Sequence, residues 1–149
     1  MQWSTMVATA VGTVLGVVST LVADHIRWNR DTSERDREAL RTAFTGYLTA
    51  LAQARDAFSR TEPSPERVGK GHVAIGEHGV YGAQQQLELM AQRPVADMAG
   101  RATLSVLDFH DVVLAGHDSD SVEYLHAWRA ARENRQALIE EMKKALRRS

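Results

Sequence analysis

The charges of this chain all lie on one side of a boundary. Met1 to Ala23 contains no Asp, Glu, Lys or Arg, and the 18 basic and 19 acidic residues all follow it. A helix on the surface of a soluble protein keeps one polar, charged face, so this uncharged opening constrains the fold more than any other feature. A membrane-spanning helix needs about 20 predominantly apolar residues at about 1.5 Å each, and Trp3 to Ala23 supplies that length. Trp3 and Trp28 bracket the run. Tryptophan favours the headgroup zone, and a helix from one to the other is roughly 37 Å long, close to the distance between the two interfaces of a bilayer. That fit favours a span over a buried core helix. A cleavable signal peptide would place Lys or Arg ahead of the apolar run and end it on an A-x-A-like site, whereas here no basic residue precedes it and it ends Leu21-Val22-Ala23.

Residues 1–23 are therefore expected to form a single transmembrane helix in a lipid bilayer. Arg27, Arg30, Arg35, Arg37 and Arg41 follow closely, which predicts a cell-membrane protein with its N-terminus outside and its C-terminal domain in the cytoplasm. Those arginines alternate with Asp24, Asp31, Glu34, Asp36 and Glu38, so the stretch is not a polybasic lipid-binding patch. The span has two faces. At about 100° per residue, Ala8, Gly12, Gly16 and Thr20 fall on one side with Thr5, Thr9, Thr13 and Ser19, opposite a bulky face of Val and Leu. Small residues spaced by four let helix backbones approach closely in lipid, so this ridge predicts self-association or pairing with another membrane protein.

Beyond the span, only three prolines and a 6% aromatic content favour helices over a sheet. The expected fold is all-α, the transmembrane helix continuing into an antiparallel bundle of three to four helices. Residues 24–60 read as a charged juxtamembrane stalk and a first bundle helix. In that helix Leu40, Phe44, Tyr47, Leu51, Ala54 and Phe58 recur at alternating spacings of four and three, which makes a bundle or coiled-coil seam. Residues 61–79 read as a Pro/Gly-rich linker or weak helix. Ser64-Pro65-Glu66 resembles a helix start, but each of Gly69, Gly71, Gly76, Gly79 and Gly82 costs a helix about 0.8–1 kcal/mol relative to alanine.

Residues 80–149 supply the remaining bundle helices. The first runs from Val80 to Gln92 with Tyr81, Leu87 and Met90 as core positions. The second runs from Pro94 to Ala115, with Val95, Met98, Ala102, Val106, Phe109 and Val113 on one face and Gly116 as its stop. The last starts at a capping-box-like Asp120-x-x-Glu123 and uses Leu125, Trp128, Leu138, Met142 and Leu146. Lys143, Lys144, Arg147 and Arg148 suit the negative end of that helix's dipole better than a nucleic acid, and the net charge of -1 gives no global field for one.

Few residues of the chain have the type and spacing that a chemical site needs. With no cysteine, the chain has no disulfides, thiolate metal sites or cysteine nucleophile. Glu123-x-x-His126 has the spacing that helical bundles use for di-iron sites, but such a site needs a second copy of the motif and further carboxylates. The six histidines, His25, His72, His78, His110, His117 and His126, are scattered, and only a fold could gather them. Gly69-Lys70-Gly71 is not a phosphate loop, lacking Ser or Thr after the lysine, the earlier glycine and the strand in front. No nucleophile elbow is present. No catalytic, cofactor or metal residues are assigned, and no small-molecule substrate.

With the uncharged start, the phrases Gln86-Leu87-Glu88-Leu89, Arg93-Pro94-Val95 and Leu138-Ile139-Glu140-Glu141-Met142 give a layout that resembles the small single-pass membrane proteins of high-GC Gram-positive (actinobacterial) type. The resemblance covers most of the chain. It implies a location and a helical fold, and brings no activity or functional residues with it.

The expected function is a membrane-anchored, non-enzymatic interaction or scaffold protein that associates through its span and its helical domain. A holin-like or toxin-like pore former is the alternative suggested by the Thr-lined face. A membrane-tethered enzyme or metal-binding bundle is a third reading, resting on the histidines and Glu123. Replacing Gly12 and Gly16 by Leu is predicted to weaken cross-linked oligomer bands in membranes, and unchanged bands would remove the packing-face argument.

Overall fold

Between residues 34 and 58 no proline interrupts the backbone and only Gly46 weakens it, so the segment forms one helix, α1. A computed structural model describes residues 34–148. The proposed span 1–23, its packing face at Ala8, Gly12, Gly16 and Thr20, and most of the charged stalk lie outside the described residues. Contacts divide the chain into two compact units, Met1–Glu38 and Ala39–Ser149. The second is the bundle described below.

α1 ends at Phe58, and its last turn is closed by Thr61, whose hydroxyl donates to the Ala57 carbonyl at 3.0 Å. Pro63 and Pro65 forbid continuation, and Pro65–Arg67 forms a single 3-10 turn. Then come α2 (Gly71–Glu77), α3 (Val80–Met90), α4 (Arg93–Leu114) and α5 (Val122–Arg148). The described residues are all helix, turn and loop.

Contacts between side chains give the directions of these helices. Tyr47 meets Ala99 and Thr103, and Phe58 meets His110, so α1 and α4 run parallel. Gly71 lies against Leu107 and His110, and Gln84 bonds Thr103, so α2 and α3 together run antiparallel to α4. Phe109 stacks edge-on against Tyr124 at 5.2 Å, close to the turn that joins α4 to an antiparallel α5. The result is an up-down-up-down four-helix bundle whose second helix is broken in two. α4 touches α5, α3, α2 and the 3-10 turn, and the Tyr47 and Phe58 contacts join it to α1.

The break falls at Gly79, whose φ of 72° places it in the left-handed region that only glycine enters without strain. The glycine-rich segment before it is not irregular. α2 forms because Gly71 and Ile75 are buried against the rest of the bundle, and this contact offsets the helix cost of its glycines. Gly116 ends α4 as expected. At a φ of 86° it donates to Val113 O while His117 donates to Val112 O, the paired bonds of a Schellman motif.

The seam residues Leu40, Phe44, Tyr47, Leu51, Ala54 and Phe58 are all in the core. Three expectations need correction. Tyr81 and Met90 are each 40% exposed, and α3 buries Val80 and Leu87 instead. Leu125 and Trp128 are each 37% exposed, because α5 packs through Ala127, Ala131, Leu138, Met142 and Ala145. The cap of α5 is one residue later than Asp120: the Ser121 hydroxyl accepts the Tyr124 N–H at 3.2 Å, which leaves the Asp120–Glu123 pair out of register.

A polar chain crosses the core. The Tyr47 hydroxyl donates to the Ala99 carbonyl at 2.7 Å and lies 2.8 Å from Thr103 Oγ1. Thr103 donates to Gln84 Oε1 at 2.9 Å, and Gln84 Nε2 donates to Glu88 Oε1 at 3.0 Å. A carboxylate only accepts, so Glu88 fixes the Gln84 amide, and Gln84 in turn claims the Thr103 proton. Two hydroxyl protons thus serve three contacts, and the Tyr47 proton is shared between Ala99 O and Thr103 Oγ1. Among the described residues no helix is long and apolar enough to cross a membrane.

Burial pushes the Tyr47 phenol up to about 12 from its ordinary 10.0, with the Thr103 hydrogen bond acting in the opposite direction. The folded chain therefore holds this proton more tightly than the unfolded chain. Its stabilising contribution is complete below pH 10 and is lost as pH rises towards 12, by about 3 kcal/mol in all. Tyr47→Phe is predicted to cost about 1 kcal/mol at neutral pH and to remove this alkaline loss. Urea midpoints of the full chain in detergent would show it. A wild-type to mutant difference that stays constant through that window would contradict the assignment.

Candidate functional site

α4 carries His110 on the face that meets α1 and α2, which takes an ionisable ring into the core at 2% exposure. Its Nδ1 lies 3.0 Å from Asp111 Oδ1, and the same oxygen accepts the Gly69 N–H at 3.0 Å. Because the carboxylate is an acceptor, Nδ1 carries the hydrogen, and Nε2 of the neutral ring is left as an acceptor. Nε2 has no hydrogen-bond partner among the described residues. The Phe58 ring is met edge-on by His110 at 4.5 Å and by His78 at 6.0 Å, so the fold gathers two of the scattered histidines around one aromatic side chain.

The tripeptide Gly69-Lys70-Gly71 shapes the approach to this ring. Gly69 has a φ of 78°, which turns its N–H to Asp111. A Cβ on Gly71 would sit 2.8 Å from His110 Nδ1 and 3.0 Å from Leu107 Cδ2, so only glycine lets α2 come this close to α4. Between them lies a cleft of about 150 Å³ lined by Arg67, Lys70, Val73, Ala74, Glu77 and His110. Lys70, Val73, Ala74 and Glu77 have the spacing of one helix face.

A second groove, of about 400 Å³, runs between α1 and α5. Thr45, Leu48, Thr49, Ala52, Gln53 and Asp56 form its α1 wall, and Arg135 projects from α5. The Arg135 Nε is buried without a hydrogen-bond partner. Asp56 is already engaged by Arg55 at 2.7 Å. A buried, unpaired guanidinium N–H costs free energy until some acceptor reaches it.

The pair singled out for a metal is not brought together into one. Glu123 Oε2 lies 3.7 Å from His117 Nδ1, and His126 is exposed. Among the described residues no group of three or more His, Asp or Glu is placed to hold a metal ion. The seam residues serve as core, with Tyr47 and Phe58 also touching the polar chain and His110. Sequence reasoning missed His110 and Arg135 as site residues. His110 did leave a signal: it lies four residues after Val106 and seven after Thr103, on an inward-facing position of α4. Arg135 left none, because its isolation depends on which α1 residues face it.

Gly71→Ala is predicted to destabilise the chain by about 1–3 kcal/mol, since a buried ring must shift to admit the methyl group. Gly82→Ala, within α3 and with nothing near its Cβ, should instead stabilise it by about 0.4–1 kcal/mol. Thermal melts of the two variants test the contrast, and equal shifts would mean that Gly71 does not set the α2–α4 distance. Compared with protein-family models, curated protein sequences and solved structures, the chain matches none, so the reading of these sites rests on their own geometry.

Proposed function

We propose that this chain is a membrane-anchored, non-enzymatic interaction protein. Residues 1–23 cross the cell membrane once, with the N-terminus outside and the helical domain in the cytoplasm. The span associates with a second copy or with another membrane protein through Ala8, Gly12, Gly16 and Thr20. The helical domain takes part through the groove between α1 and α5.

The observation that carries this reading is the unpaired Arg135 Nε in that groove. The fold takes the Nε of a half-buried arginine out of water and offers that N–H no acceptor, beside a groove open enough to receive one. A partner's carboxylate or backbone carbonyl would complete the Arg135 hydrogen bonds, and Thr45, Thr49 and Gln53 add hydroxyl and amide groups along the same wall. α5 also leaves Val122, Leu125 and Trp128 exposed at successive spacings of three, with the Arg132 guanidinium 5.5 Å above the Trp128 ring. Aromatic and arginine side chains of this kind are frequent anchors in protein interfaces.

Arg135→Met separates this role from a purely structural one. In-cell cross-linking with mass spectrometry should show the adducts made through the helical domain falling roughly ten-fold or more, as expected when an anchoring charged hydrogen bond worth about 1.5–3 kcal/mol is lost. Stability should hold or rise, because the substitution removes an unsatisfied buried donor. Unchanged adducts with raised stability would mean the groove receives no partner.

A further inference from the structure

We propose that the cleft between the 3-10 turn, α2 and α4 binds a tetrahedral oxyanion, either inorganic phosphate or the phosphomonoester head of a lipid, held by Arg67, Lys70 and His110. All three line the cleft. Neither Arg67 nor Lys70 forms an ion pair or side-chain hydrogen bond among the described residues, so both cations are free to turn onto a ligand. His110 is the fixed member. It is buried, it is held at Nδ1 by Asp111, and its Nε2 is unpartnered. In the neutral ring Nε2 accepts the hydrogen of a protonated phosphate oxygen, and in the charged ring it donates to a bare one, so it complements either form of the ligand.

Two carboxylates stand nearby. Asp111 is engaged at Oδ1 by His110 Nδ1 and the Gly69 N–H, and it is absent from the lining of the cleft. Glu77 lies at the far end of α2, while His110 contacts Gly71 at the near end. Glu77 nevertheless lines the same cleft, so one carboxylate stands there beside the two cations. Lys70, the residue before Gly71, stands at the end of α2 that His110 meets. The volume of about 150 Å³ is room enough for one phosphate group.

The test uses the full chain in a neutral detergent, with inorganic phosphate as the probe and the His110 ring resonances as the readout. Arg67→Gln/Lys70→Gln serves as the variant, because both positions are exposed and the bundle does not depend on them. Saturable movement of the His110 resonances, with affinity lowered at least about ten-fold in the variant, is the expected result for a free-phosphate site. A parallel arm reconstitutes the chain in phosphatidylcholine vesicles with and without phosphatidic acid. Movement seen only with phosphatidic acid, and lost in the variant, assigns the site to a lipid head. The proposal is overturned if neither probe moves His110, or if the variant responds as the wild type does. The detergent arm does not depend on membrane topology, and neither arm depends on the Arg135 groove.

Discussion

One hydroxyl sets the register of this bundle. Tyr47 reaches across the core to the Ala99 carbonyl and to Thr103, and the contact fixes α1 against α4 more narrowly than apolar packing alone would. Leucine and alanine surfaces accept a shift along the helix axis at modest cost, whereas a buried phenol displaced from its acceptor loses the bond and stays desolvated. With Tyr47 placed beside Ala99, the parallel course of the two helices brings Phe58 to His110 three turns later. The polar chain continues through Gln84, so the same hydroxyl also orients α3. Both candidate sites inherit their geometry from this register, one at the end of α1 and the other along its α5-facing side.

Much of this fold was legible in the sequence where large apolar residues carried the pattern. The alternating spacings from Leu40 to Phe58 gave the core face of α1, and Val95 to Val113 gave that of α4. The stop at Gly116 followed from the conformation that glycine alone accepts freely. Reading failed where small residues did the packing. α5 buries Ala127, Ala131 and Ala145, and a pattern weighted by hydrophobic bulk selected Leu125 and Trp128, which lie beside the seam rather than in it. α2 was obscured for a similar reason: its glycines weaken the helix locally, and one of them is the condition for its tertiary contact.

The candidate sites were less legible than the fold. A glycine, a histidine and an aspartate at positions 71, 110 and 111 have no local motif in common, and the cleft exists only once the bundle closes. Periodicity can mark His110 as inward-facing, but cannot say that Gly71 rests on it or that Arg67 and Lys70 stand at the rim. Likewise, whether Arg135 is paired is decided by the opposing wall of α1, about eighty residues earlier in the chain.

The break at Gly79 has a consequence for the order in which this structure comes apart. α2 is seven residues long, buries only Gly71 and Ile75, and is joined to α3 through a left-handed turn, the features of a segment that opens before the rest. The Gln84–Thr103 bond ties α3, and not α2, to α4. Opening of that one short segment would uncover the edge of the imidazole that faces Gly71 while Phe58 still covers the ring from α1. The rest of the bundle can keep its register while that single face turns over.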